Sequence, residues 1–259
     1  MANYWQDRMA AAQNTLTDKS KREIDKQLRK YYATAAQDVI NGFESVYNKL
    51  LAQQEQNKPI TPADLYKLDK YWAMQGQLRQ QLQRLGEKQI SLLTKKFELT
   101  FFDVYHSINI EGAVAFSTID KAAVNQIINA VWCADGLNFS QRVWRNTEQL
   151  IQTLNEQLIL TVATGKKTTD LKKALQERFV VSYHQADMIV RTELAHIQSR
   201  AAEERYKSYG IKQVQFWADE DERRCPDCGK LHEKKYPVGA VVPIPLHPRC
   251  RCCIVPVID

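Results

Sequence analysis

The chain has 259 residues, 44% of them hydrophobic and 25% charged, and its 36 Lys and Arg against 30 Asp and Glu give a net charge of +6. That length buries a sizeable core in one large domain or two small ones, and the composition excludes a long disordered or low-complexity protein. A basic excess of this size suits work near nucleic acid without requiring it.

The first hundred residues read as long helices. Ile24, Leu28, Tyr31, Ala35, Val39, Phe43, Val46, Tyr47 and Leu50 recur at spacings of three and four, which is one apolar helix face. The polar stretch Gln53–Lys58 predicts a stop, and Thr61-Pro62-Ala63-Asp64 predicts a restart. Thr61 suits the cap, Pro62 the first turn and Asp64 the positive helix start. Leu65, Leu68, Trp72, Leu78, Leu82 and Leu85 carry the stripe on to about Tyr105. Residues 1–106 are therefore expected as a long helical hairpin or arm. It either completes the core or presents Tyr4, Trp5, Tyr71 and Trp72 to a partner.

A helical middle is expected over 107–210. Its first segment, Ser107–Ser117, holds Gly112 and reads as loose. Helix returns at Asp120 and ends before Asp135-Gly136. Ser140 is placed as the cap of a helix running through Trp144, Leu150, Leu154 and Leu158 to Gly165. A short helix follows Thr169-Asp170, and a long one spans about Tyr183–Tyr209, closed by Gly210. Val214-Gln215-Phe216-Trp217 then alternates as a strand does. Most of the prolines crowd into the remaining tail, so 211–259 is read as short strands, turns and a knuckle. Residues 107–259 are expected to fold together. The fold class is thus mainly α with a small α+β C-terminal part.

No apolar run approaches the roughly 20 residues that span a bilayer, and MANYWQDRMAAAQ lacks the pattern of a secretory signal. The chain is expected to stay in the cytosol of the cell that makes it. Five of its six cysteines fall between Cys225 and Cys253, and in that compartment a cluster argues for metal rather than disulfides.

The constellation is Cys225-Pro-Asp-Cys228, His232, His247-Pro-Arg-Cys250, Cys252 and Cys253. A C-x2-C turn puts two thiolates on one side of a tight knuckle. An H-x2-C pair offers an imidazole and a thiolate with similar reach, so the two pairs can surround one tetrahedral ion. Thiolate and imidazole together favour zinc. The first choice of ligands is Cys225, Cys228, His247 and Cys250. Cys252, two residues on, is an alternate for Cys250 or His247, and His232 is a second alternate. Cys253 points the other way and is expected as a buried thiol. Enough ligands exist to close the shell, which makes the zinc structural.

At this point the sequence resembles a known family, the phage head-morphogenesis or minor head proteins, to which the Mu protein F and the minor head protein of phage SPP1 belong. The pattern is an R-T-E helix, a Trp-bearing strand, D-x-R-x-C-x-x-C, and H-P-x-C-R-C before a short apolar end. Here it reads Arg191-Thr192-Glu193, Trp217, Asp221-Glu-Arg223-Arg-Cys225-Pro-Asp-Cys228, and His247-Pro248-Arg249-Cys250-Arg251-Cys252. The resemblance covers about residues 135 to 259, with Asp135-Gly136, Ser140 and Trp144 included. Leu231-His232-Glu233 departs from it, where many relatives carry a glycine, and so does Cys253. The resemblance implies a virion or procapsid head protein of a tailed bacteriophage, present in a few copies and made in the host cytoplasm. Its implied partners are the portal protein, the major capsid protein or a scaffold, and its implied roles are head assembly, DNA packaging and ejection. Some relatives are fused to toxin domains, and none is expected after Cys253.

Other residues invite chemistry. Arg191, Glu193, His196, Arg200 and Glu204 share a helix, where ion pairs lacing one face are the simpler expectation. Arg191 and Glu193 are expected to brace that helix against the knuckle. The competing reading is a zinc-dependent nuclease, with His232 or His247 as base assisted by Glu193 or Glu233. Against it, no H-E-x-x-H and no Gly-rich phosphate loop occurs. Nonspecific DNA contact would draw on Lys19, Lys21, Arg22, Lys26, Arg29 and Lys30, on Lys166 and Lys167, or on Lys234 and Lys235. The acidic run Asp219–Glu222 opposes a basic surface beside the knuckle.

Overall fold

A computed structural model describes residues 4–52, 60–110, 114–115, 117–133, 135–218, 225–240 and 244–258. The fold is mainly α, with a small three-stranded antiparallel sheet near the C-terminus. Three helices dominate: α1 (Tyr4–Ala52), α3 (Asp69–Ser107) and α6 (Thr168–Ser208). The shorter helices are α2 (Pro62–Tyr66), α4 (Lys121–Asn129), α5 (Phe139–Ala163) and α7 (Pro226–Leu231). The strands are β1 (Gln213–Trp217), β2 (Lys235–Pro237) and β3 (Cys253–Pro256).

The expected stripes form, with two exchanges. Of the adjacent pair Tyr31 and Tyr32 on α1 it is Tyr32 that is buried, and on α3 Tyr71 and Met74 are buried while Trp72 is 58% exposed. A helical turn of 3.6 residues lets either neighbour face inward, so the pattern alone could not choose. The stop expected at 53–58 lies outside the described residues. The restart is as expected: Asp64 accepts hydrogen bonds from the Thr61 amide and hydroxyl at 3.1 and 2.7 Å. Those bonds, with Lys67, bring the Asp64 carboxyl down to about 2.

Two boundaries differ from expectation. Helix α5 begins at Phe139, so Ser140 lies inside its first turn rather than at the cap. The two helices expected after Gly165 are one, α6, because no proline or glycine interrupts Thr168–Ser208. It ends as expected before Gly210, whose φ of +71° suits a residue without a side chain.

The chain forms two compact units, each drawn from separated segments. The breaks of chain character near 106 and 210 therefore mark local composition, whereas the units recruit distant stretches. The first unit comprises 1–25, 92–139 and 188–259. Its core includes Phe97, Phe101, Phe139, Tyr206 and Phe216, all buried. In it, the start of α1 runs beside the end of α3, where Thr100 donates to Ser20 at 2.7 Å and Lys96 pairs with Glu23. Asp120 caps α4 by accepting from the Ala123 amide at 2.7 Å.

The second unit comprises 26–91 and 140–187 and is all helical. Its centre is a buried polar knot. The Tyr32 hydroxyl receives hydrogen bonds from Gln89 and Asn146, each at 3.3 Å, and lies 3.4 Å from the Ser182 carbonyl. Four helices meet on that one oxygen, so within this unit the hairpin of α1 and α3 is part of the core. Burial raises the tyrosine's pKa, so it stays neutral. Among apolar neighbours such a knot fixes which helix faces meet, because a shifted register strands its donors. Replacing Tyr32 with Phe removes the shared partner and leaves buried amides short of an acceptor. The expected cost is about 1–3 kcal/mol, read as a lower urea midpoint; an unchanged midpoint would show the knot to be dispensable.

Candidate metal centre

The tail after Gly210 is built around β1, the central strand of the order β2-β1-β3. Val214 faces Tyr236 on one side and Pro256 on the other, and Trp217 faces Cys253. Val214, Phe216 and Trp217 are buried. The start of α1 covers this layer: Ala10 packs with Trp217, Cys253 and Val255, and Met9 lies against them. Gln13 and Tyr206 both donate to the Ile254 carbonyl, at 3.4 and 3.2 Å, which ties α1 and α6 to β3.

Two turns bring the donors together. Cys225 sits at the cap of α7 with Pro226 in the first turn, and its sulfur accepts the Cys228 amide at 3.3 Å. The short helix thus turns both sulfurs inward. The second turn runs from His247 to Cys250, closed by the Cys250 amide on the His247 carbonyl at 3.1 Å. Arg249 holds it with φ at +65°, a conformation uncommon for a residue with a side chain.

Two groups of potential ligand atoms result, each within 4.8 Å: Cys225, Cys228 and His247, and Cys228, Cys250 and Cys252. Cys228 belongs to both. Its sulfur is 3.4 Å from His247 Nε2 and 3.8 Å from the Cys250 sulfur. A tetrahedral shell with metal–sulfur bonds of about 2.3 Å has sulfur–sulfur edges of about 3.8 Å. The observed edges therefore fit a zinc-sized ion without rearrangement at Cys228. His247 Nδ1 lies 3.0 Å from the Pro248 carbonyl. With Nδ1–H donating there, the Nε2 lone pair faces the sulfurs, as a metal-bound imidazole needs.

The electrostatics favour a cation at the same point. Burial pushes the Cys228 thiol up to about 12. Hydrogen bonding from Cys252 brings Cys250 down to about 5, while that same bond and burial push Cys252 up. The Cys228 amide holds Cys225 below the ordinary thiol range. For His247, burial pulls the pKa down, but the Pro248 carbonyl and the Cys250 and Cys225 sulfurs raise it on balance. Cys228 and Cys252 thus stay protonated where no cation is present, and a divalent ion held among the sulfurs would favour the thiolate form of each.

The other candidates lie elsewhere. His232 turns away: its Nδ1 accepts the Ala218 amide at 3.2 Å, and its ring tilts onto Trp217 at 4.6 Å. Cys253 is buried in the apolar cluster with Trp217. Glu193 is buried and accepts from Trp132 Nε1 at 3.0 Å, while Arg191 is exposed. His196 stacks on Trp132 at 4.2 Å, and its Nδ1 lies 3.3 Å from the Ile244 carbonyl, three residues before His247. Trp132 and His196 thus complete a link from Glu193 toward the second turn. Trp132 lies 61 residues from Glu193, and no local pattern marked it. Farther along α6, Arg200 and Lys207 both pair with Glu203 and Glu204, the laced face expected there, with Glu203 and Lys207 added.

Fold and cluster together define a mainly helical protein with a short antiparallel sheet and a Cys/His cluster that could hold a metal ion. Residues 152–255 match the family model described as Phage Mu protein F like protein. That span holds all of α6 and every donor of the two groups, and over it the resemblance to phage head-morphogenesis proteins is borne out. Asp135-Gly136, Ser140 and Trp144 lie outside it. No curated protein and no solved structure matches the chain.

Five donors compete for four places. Removing either His247 or Cys252 is expected to leave one zinc per chain, and removing both, or Cys228 alone, to abolish it. Elemental analysis of purified variants reads this directly. Full metal retention by Cys228→Ser would sink the assignment.

Proposed function

We propose that this chain is a minor head protein of a tailed bacteriophage, made in the host cytoplasm and built into the procapsid and virion head. It acts in head morphogenesis by contacting the portal protein, the major capsid protein or a scaffold, with nonspecific contact to DNA during packaging or ejection. The observation that carries the reading is the family match over 152–255, which takes in the donor cluster and all of α6. Among the described residues, no helix is long and apolar enough to cross a membrane.

Cys225, Cys228, His247 and Cys250 would hold a structural zinc, with Cys252 in reserve. A catalytic zinc keeps one position open for water. Here the chain supplies more donors than the ion has places, and Cys228, Cys250 and Cys252 are buried. Bound zinc would neutralise the thiolates and lock the two turns together. The protein would then be a scaffold part and not an enzyme.

A Cys228→Ser variant, which removes the sulfur common to both donor groups, distinguishes the two readings. It is expected to lose metal and thermal stability and to be missing from purified heads, as measured by mass spectrometry of procapsids and virions. A variant that folds and enters heads normally but loses a DNA-hydrolysing activity would establish the nuclease reading instead.

A further inference from the structure

The two units differ in charge. The second unit carries 17 Lys and Arg against 11 Asp and Glu, a net of +6, while the first carries 19 against 19 and is formally neutral. Glu55 and Lys58, outside the described residues, cancel each other. The whole basic excess of the chain therefore belongs to the helical unit that holds no part of the metal cluster.

Within that unit six lysines gather at one end. The Tyr47 hydroxyl donates to the Lys166 carbonyl, and Thr168 Oγ1 donates to Asn48 Oδ1 at 3.0 Å. These bonds seat the last turn of α1 against the α5–α6 connection. Lys49 thereby lies at the same end of the unit as Lys166 and Lys167, with Lys172 and Lys173 one turn into α6. Lys70 reaches the same end, because its Nζ bonds Ser45 one turn before Lys49. All six lysines are exposed. Of the acidic groups at this end, Asp170 accepts the Lys167 amide at 3.2 Å and Asp64 pairs with Lys67 at 3.0 Å, while Asp69 and Glu44 offset part of the lysine charge.

We propose that this end of the second unit, formed by the last turn of α1, the α5–α6 connection and the first turns of α3 and α6, binds the phosphate backbone of double-stranded DNA. The patch contains lysines without arginine. Lysine is depleted at protein–protein interfaces, and it contacts phosphates as a point charge that needs no fixed partner geometry. Backbone binding of this kind is sequence-independent and salt-sensitive. The head reading enters only in naming packaged DNA as the source. The lysine cluster that matters is then Lys166 and Lys167 with Lys49 and Lys70, not Lys234 and Lys235 beside the knuckle.

The test uses the full chain, loaded with zinc, and a labelled 30-base-pair duplex of random sequence in fluorescence anisotropy. Lys49→Gln, Lys166→Gln and Lys167→Gln combined should weaken binding by about tenfold or more. Each lost phosphate contact lowers the slope of log affinity against log salt by about 0.9, so the slope should fall by about 2 to 3. Lys234→Gln with Lys235→Gln should change affinity less than twofold. Matched thermal melting of all variants shows that folding is intact. Unchanged affinity and slope in the triple variant would overturn the proposal, as would a larger loss in the Lys234/Lys235 pair. Polyglutamate of matched charge competing as well as DNA would also overturn it, by pointing to an acidic protein. Head incorporation is scored separately: absence of the unmutated chain from heads would refute the head reading and leave the binding result standing.

Discussion

Two turns, 225–228 and 247–250, must meet for the tail of this protein to exist as a folded object. Strands β2 and β3 have three and four residues, and β1 has five. A sheet that small has few ladder bonds, and short strands in isolation are marginal in water. The sulfur of Cys228 is where the turns touch, 3.4 Å from His247 and 3.8 Å from Cys250 across 19 and 22 residues of chain. Closing a loop of this length costs on the order of 3 kcal/mol in chain entropy. Structural zinc in small knuckles contributes on the order of 10 kcal/mol or more, enough to offset that cost and the mutual repulsion of the thiolates.

The knuckle is also anchored from outside. Trp217 and Cys253 lie under Ala10 of α1, and Gln13 and Tyr206 share the Ile254 carbonyl. The stack of Trp132 on His196, with Glu193 accepting from the indole N–H, reaches the Ile244 carbonyl ahead of the second turn. Part of the tail's stability thus comes from helices distant in sequence. This is why the first compact unit has to collect three separate segments. The second unit solves a different problem. It has no metal cluster among its described residues and fixes its helix register through the hydroxyl of Tyr32. The division of labour carries over to charge, with the neutral unit holding the knuckle and the basic unit exposing its lysines.

Much of this was legible in the sequence. Helix periodicity gave the long elements because three- and four-residue spacing is a direct consequence of helix geometry. The pairs Cys225/Cys228 and His247/Cys250 were legible because short chelating turns leave a local signature. What stayed hidden was non-local or degenerate. Tyr31 and Tyr32 differ by one position on a helix, and only packing against α5 and α6 selects Tyr32. The joining of Thr168–Ser208 into one helix was obscured by Val180, Val181 and Ser182, residues of weak helix preference; both valines stay exposed, and only Ser182 is buried, in the Tyr32 knot. Trp132 carried no motif, and spacing could not show that His232, an alternate ligand, has its Nδ1 on the Ala218 amide. Spacing also could not show that Cys252 joins the cluster beside Cys250 instead of replacing it.

The central claim is that closure of the Cys/His cluster holds the short sheet together. Amide hydrogen exchange, followed with and without a zinc chelator, tests it most directly at β1 and β3. The account predicts that Phe216 and residues 253–257 lose protection on chelation, while the Gln89–Tyr32–Asn146 region of the second unit stays protected. Full protection of β1 and β3 in metal-free protein would contradict it.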